Sequence, residues 1–485
     1  MRLVGSHFKI KRHDITLTGD PSRTIVRLFM PGNTERIRRI GERVNNLSDV
    51  ETENILRSIF QEFGERHNDL ESTFISHFDE VSASAGLLAG SNRKKLLIGA
   101  YFSMEYSFES AALFNPSMVQ AIDQTNVPQG TVRFLMSLRA VGEGHLSSIA
   151  FRRGIIDSGG NIIIEEVGKS PSQLRQQTDK LFDKFSLQTK LQQLRLTDGE
   201  AASVFNKLPQ QFTYSELAKV TEQVRQESKS QNFAKVASRL LWIAKSNYSI
   251  QKPESQNVSD LVLFPISESE SQGMEDMRLV RFVNNDGSFV FYGTYTAFDG
   301  RKILPQLLTI QSSGDVEVDV LFGKFAQNKG LALFGRKING DYLMLARVDG
   351  ENNYLLRSKD IYTWDEGQIL QTPQFAWEFV QVGNCGSPIE TDAGWLLLTH
   401  GVGPLRRYCM GAILLDLDDP SRVIGQLREP LLVPSTEEWS GYVPNVVYSC
   451  GAMLHNERLY IPYGISDSAT GFISLDLDEL LDALR

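Results

Sequence analysis

Along the first third of the chain, apolar residues recur at three- and four-residue spacing. Ile37, Ile40, Val44 and Leu47, then Ile55, Ile59, Phe60 and Phe63, mark amphipathic helices between Asn33 and about Val81. Asp49, just ahead of Thr52 and Glu53, is the expected N-cap within that stretch. Two short strand-like runs precede it, Phe8 to Ile15 and Thr24 to Phe29. From Phe114 the texture changes to short alternating runs and turns. One pattern repeats: an apolar strand ending in small, polar and glycine residues. It occurs at 133–144 (RFLMSLRAVGEG), 289–300 (FVFYGTYTAFDG), 341–350 (DYLMLARVDG), 394–403 (GWLLLTHGVG) and 458–467 (RLYIPYGISD). The last four copies lie about fifty to sixty residues apart, a period suited to four-stranded propeller blades. Between the first two copies, LRQQTDKLFDKF, SELAKVTEQVRQE and AKVASRLLWIAK read as helices. The expected fold is therefore mainly β: a five-bladed β-propeller over 111–485, an N-terminal, largely helical region over 1–110, and a helical insertion over 170–245.

The stretch 273–300 concentrates the chemistry. Glu275, Asp276 and Arg278 stand beside Gly273, an Asn-Asn-Asp-Gly turn follows at 284–287, and the returning strand stops at Asp299. Such a turn between runs rich in Val, Phe and Tyr predicts an antiparallel hairpin. The bland reading of its charges is a solvated ion-pair cluster. In a propeller, however, equivalent strand ends converge on one axis. Those ends carry Arg139, Glu143 and His145; Tyr295 and Asp299; Arg347, Asp349 and Glu351; His400; and Asp467. The convergence predicts one central polar pocket, against the alternative of a propeller used as a protein-binding platform.

Charge and cysteine content narrow the function. The net charge of −9, without a basic cluster, argues against nucleic-acid and membrane partners, which need concentrated Lys and Arg. Three cysteines, Cys385, Cys409 and Cys450, show no metal-ligand spacing, so no metal is expected. With no signal-like apolar segment at the start, the expected location is cytoplasmic. P-loop, GxSxG, CxxC and HExxH patterns are absent. A funnel of carboxylates, arginines and aromatics suits carbohydrate, and glycosidic cleavage needs a carboxylic acid to protonate the leaving oxygen. The basic residues Lys329, Arg347, Arg406 and Arg407 suit an anion instead. Arg406 and Arg407 are adjacent, so at most one of them points inward along a strand.

GMEDMRL resembles the G-x-E-D-P-R signature of glycoside hydrolase family 130, the β-mannoside phosphorylases and mannosidases. TAFDG, LALFGRKINGDYLMLAR, GSPIETDAGWLLLTHG, YVPNVVYSCGA and IPYGISDSATG extend the resemblance from about Phe114 to the C-terminus. It implies a five-bladed propeller and an inverting enzyme that cleaves β-mannosidic bonds of short manno-oligosaccharides. It implies Asp299 as general acid, acting through a hydroxyl of the bound mannosyl unit. Asn115, Arg139, Glu275, Asp276, Arg278 and Asp467 are the implied sugar-binding residues. Lys329 and Arg347, with His400 nearby, are the implied phosphate-binding residues. Gln381 stands where the family has a third lysine. Retention of Lys329 and Arg347 favours phosphorolysis to mannose 1-phosphate, with inorganic phosphate as co-substrate and no other cofactor. The alternative is a β-mannosidase in which Glu351 or Glu390 activates water; a second is a non-catalytic sugar-binding or scaffold propeller. The helical regions are candidate surfaces for a homo-oligomer.

Overall fold

A computed structural model describes residues 8–168, 170–177, 180–193, 199–228, 230, 232–251, 257–311 and 315–485. The chain is mainly β. Five sheets of four or more strands follow one another along it, most of them antiparallel neighbours in chain order. The first starts with Ala112–Gln120 and Val132–Val141, the second with Met274–Val283 and Phe289–Phe298. The third starts with Lys329–Leu333 and Tyr342–Arg347, the fourth with Gln381–Asn384 and Gly394–Val402. The fifth contains Val447–Tyr448, Arg458–Ile465 and Ala469–Asp476. The repeating sequence pattern thus falls on the second strand of every sheet.

The outer strand of the fifth sheet is Lys11–Thr18, paired antiparallel with Ala469–Asp476. The earliest described strand therefore completes the last sheet rather than standing with the N-terminal helices. Apolar clusters fill each space between consecutive sheets. Phe151 of the first meets Leu279 and Phe291 of the second, and Phe282 of the second meets Leu333 and Met344 of the third. Leu345 of the third meets Trp395 and Leu397 of the fourth, and Leu414 of the fourth meets Ile461 and Ile473 of the fifth. Tyr460 and Phe472 of the fifth then pack with Phe134 and Met136 of the first.

Helices α1 (Thr34–Asn45), α2 (Asp49–Phe63), α3 (Leu70–Ala85) and α4 (Asn92–Tyr101) pack around their own apolar cluster, including Ile37, Leu56, Phe74 and Leu97. The N-cap of α2 is Ser48, not Asp49. Ser48 forms a capping box with Glu51, whose carboxylate accepts from the Ser48 N–H at 2.8 Å. Helices α5 (Lys184–Gln193), α6 (Gly199–Lys207), α7 (Tyr214–Glu227) and α8 (Phe233–Lys245) form a second cluster against Val320 and Phe322. The predicted helix over LRQQTDKLFDKF is corrected. Arg175–Gln176 pairs with Tyr248–Gln251 and Phe182 pairs with Phe212; residues 178–179 lie outside the described residues. Strand partners distant in sequence override the local helical spacing there. Helix α9 (Leu477–Leu484) ends the chain. Among the described residues, no helix is long and apolar enough to cross a membrane.

Candidate active site

The first strands of three sheets break register at one level. Pairing slips between Phe114 and Ser117, between Glu275 and Arg278, and between Lys329 and Ala332. Each slip is a β-bulge, which leaves backbone groups unpaired and re-aims a side chain. The turning residues adopt left-handed backbone: Asn115 at φ 50°, Asp276 at φ 51° and Gly330 at φ 80°. Asn and Asp tolerate that region best among residues with a side chain. The next sheet satisfies the freed groups. Leu279 N–H donates to Ser117 Oγ at 2.9 Å, Asn384 Nδ2 donates to Gly330 O at 2.6 Å, and Cys450 N–H donates to Pro116 O at 2.8 Å.

These bulges border a cavity of about 230 Å³. Its walls come from all five sheets: Asn115 and Arg139; Asp276 and Arg278; Lys329 and Arg347; Asn384 and His400; Tyr448 and Asp467. Arg406 also lines it, from a turn where Leu405 and Arg406 hold φ of 56° and 55°. Arg407 turns away and donates to Pro434 O at 3.4 Å. Five cationic side chains thus meet two carboxylates, Asp276 and Asp467, in a chain whose net charge is −9.

The charges are tightly organised. Asn115 Nδ2 donates to Asp276 Oδ1 at 2.8 Å, and Arg278 donates to Asp276 O at 2.9 Å and to the Tyr448 hydroxyl at 2.6 Å. Glu275, behind the cavity wall, pairs with Arg139 at 3.0 Å and with Lys329. Burial works to raise the pKa of Asp276, but Arg139 and Arg278 outweigh it and hold the carboxyl below its ordinary range. Asp467 goes the other way. Burial and the neighbouring Asp276 charge push it up to about 6, against Arg139 and Arg406. Burial, then the Arg347 charge, drives the pKa of His400 down to about 3, so its ring is neutral. With its amide oxygen turned to Arg347 and its nitrogen donating to Gly350 O at 3.1 Å, Gln381 also presents that oxygen to His400 Nε2 at 3.1 Å. His400 Nδ1 lies 3.1 Å from Asn384 O, and a neutral ring can donate to only one of the two. Asn115 Oδ1 and the Nε atoms of Arg139, Arg278 and Arg347 are buried without a partner among the described residues. Side chains so presented are equipped to bind a polar ligand bearing negative charge.

Several residues singled out from the sequence stand elsewhere. Asp299 follows the second strand of the second sheet and is not part of the cavity wall. Its Oδ1 accepts from the N–H groups of Arg301 at 2.7 Å and Lys302 at 2.6 Å. Tyr295 is buried and donates to Glu270 at 2.7 Å. Glu143, His145 and Glu351 are exposed. Glu390 is held by the Arg336 guanidinium at 2.7 Å. It pairs with Trp395, five residues and about 17 Å along the strand from His400. The cavity also uses Asn328, Asn384, Tyr408 and Tyr448, which the sequence reading did not single out. For Asn328, Asn384 and Tyr448 the available signal was a neighbouring small residue at the first strand of a sheet, as in KGLA, NCGS and SCGA; Tyr408, which opens the third strand of the fourth sheet, had none.

Comparison with known proteins gives a consistent set of similarities. The glycoside hydrolase family 130 model, described as beta-1,4-mannooligosaccharide phosphorylase, matches residues 203–485. The 1,2-beta-oligomannan phosphorylase of Thermoanaerobacter sp. (strain X514) is 33% identical over 247 residues, covering 49% of this chain and 81% of that protein. A beta-1,2-mannobiose phosphorylase of the same organism is 35% identical over 216 residues, covering 44% and 69%. The solved beta-1,2-mannobiose phosphorylase of Listeria innocua aligns with a TM-score of 0.46 at 20% identity, covering 77% of this chain and 92% of that one.

Proposed function

The chain belongs to glycoside hydrolase family 130, a family of glycoside-processing enzymes, and from that premise we propose that it cleaves β-mannosidic bonds of short manno-oligosaccharides with inorganic phosphate, releasing mannose 1-phosphate. The observation that carries the reading is the cavity in which five cations surround two carboxylates. A phosphorylase must hold an anion behind the anomeric carbon while it grips neutral hydroxyls, and this wall offers both. Lys329, Arg347 and Arg406 hold the phosphate, Arg406 making up for the lysine replaced by Gln381. Asn115, Arg139, Asp276 and Asp467 grip the mannosyl hydroxyls. A phosphate oxygen bonds to the anomeric carbon as the glycosidic C–O bond breaks, with inversion. The leaving oxygen takes its proton from Asp299 through a mannosyl hydroxyl, which requires the bound mannosyl unit to extend beyond the cavity wall to the Asp299 carboxyl. The fold reading that accompanies this is a five-bladed propeller over 111–485, interrupted by the segment 170–245. Lys11–Thr18 completes its last blade, and the cyclic packing of the five sheets supports that reading.

The test is incubation with β-1,2- and β-1,4-mannobiose, with and without phosphate. Mannose 1-phosphate is expected only when phosphate is present. Free mannose formed at the same rate in its absence would overturn phosphorolysis.

A further inference from the structure

A second cavity, of about 540 Å³, lies between α3, the strand Thr24–Leu28 (the continuation of the N-terminal region) and the outer strands of the first two sheets. Most of its wall precedes residue 203, so it sits largely outside the region matched to the family. Its volume falls within the usual range for small-molecule sites.

Two guanidinium groups define its chemistry. Arg27 lies 4.6 Å from the centre of the Tyr106 ring and 4.5 Å from that of Phe264. The two rings, edge-to-face with their centres 5.4 Å apart, pack against the guanidinium, which has no hydrogen-bond or ion-pair partner among the described residues. Arg175, from the opposite strand, donates to Thr73 Oγ1 and has no carboxylate within 4.0 Å among the described residues. Lys245 adds a third cation, 3.8 Å from Glu268. Against them stand Asp69 and Glu80, both on the wall, and burial raises the pKa of Glu80. Of the histidines on the wall, His67 lies 2.7 Å from Glu105, and burial, then Arg175, pushes the pKa of His77 down to about 4. Arg27, without a hydrogen-bond or ion-pair partner among the described residues, and Arg175, bonded to the Thr73 hydroxyl, stand beside neutral donors such as Ser76 and match an acceptor-rich dianion. The volume leaves room for a sugar ring attached to it.

We propose that this cavity is a second ligand site, which takes a phosphate monoester of monosaccharide size on Arg27 and Arg175. It is tested by calorimetric titration of the full chain with mannose 1-phosphate and, separately, with inorganic phosphate. Two sites for mannose 1-phosphate are expected. The Arg27→Gln/Arg175→Gln variant is expected to lose one of them, with affinity reduced at least tenfold, and Arg347→Gln/Arg406→Gln the other. Ser76→Phe, which fills the cavity and leaves both arginines, is expected to match the first variant and guards against misfolding of the double variant. A single site abolished only by Arg347→Gln/Arg406→Gln overturns this proposal and leaves phosphorolysis standing. A single site abolished only by Arg27→Gln/Arg175→Gln does the reverse. Filling of the second site by inorganic phosphate but not by mannose 1-phosphate overturns the ligand assignment.

Discussion

Asp276 and Asp467 face the same cavity, yet their environments push them in opposite directions. Asp276 has the arginines closest to it and stays ionised; Asp467 is buried beside that negative charge and titrates at about 6. Because its folded pKa lies above the unfolded value, Asp467 favours the fold at low pH. That contribution is lost as pH rises through its folded value. For binding, the sign reverses. Below about 6 the protonated carboxyl loses acceptor capacity for sugar hydroxyls. The kcat/KM for mannobiose at saturating phosphate is expected to fall as pH drops through 6, and Asp467→Asn is expected to remove that inflection. Arg406 makes a second case. It lines the cavity while Arg407 bonds to Pro434 O. A hydrogen bond to a charged group contributes about 1.5–3 kcal/mol. Arg406→Gln is therefore expected to raise KM for phosphate by about 10- to 100-fold, and Arg407→Gln to leave it within about twofold, as steady-state kinetics would read.

The bulged first strand is the element that turns a sheet edge into a binding surface. Left-handed residues of this kind cost of order 1–3 kcal/mol each and persist where their surroundings hold them. The bond from Leu279 N–H to the fully buried Ser117 hydroxyl is one such hold, because it links two bulged strands from different sheets. Ser117→Ala leaves that N–H buried and unpaired, at a cost of about 1–3 kcal/mol. Thermal unfolding is expected to shift down accordingly, and KM for the mannoside to rise, since Asn115 and Asp276 sit on the two strands so joined. A lowered melting temperature with unchanged KM would separate the bulge's stability role from its role in binding.

Across the whole molecule, the strand Lys11–Thr18 joins the beginning of the chain to its end. Without it, Ala469–Asp476 becomes an exposed sheet edge, a template for pairing with other chains. Removal of residues 1–18 is expected to lower the melting temperature by several degrees and to produce concentration-dependent association in size-exclusion chromatography. A truncated chain that melts and elutes like the full one would show that closure adds little. The same long-range packing brings Arg139, Arg278, Arg347 and Asp467 together from four sheets.

Periodicity alone identified the repeating strands and the longer helices. Three- and four-residue spacing marked α1 to α3, α7 and α8, alternation marked the second strand of each sheet, and the Asn-Asn-Asp-Gly turn marked the 274–298 hairpin. These signals are local because helix and strand each impose their own repeat on the side chains they bury. The cavity was only half legible. Charge at strand ends found Arg139, Arg347, His400 and Asp467, and the charge cluster in GMEDMRL and the family resemblance added Asp276, Arg278 and Lys329, but the strand-end rule also selected Glu143, His145, Tyr295, Asp299 and Glu351, which lie outside the cavity wall. Tertiary structure chose between Arg406 and Arg407, recruited Tyr448 and Asn384, and set the three bulges. A bulge is stabilised by groups on a neighbouring sheet, more than a hundred residues away for Ser117 and Leu279. No local pattern along the chain records that partner, so the direction of each side chain was decided only when the sheets packed.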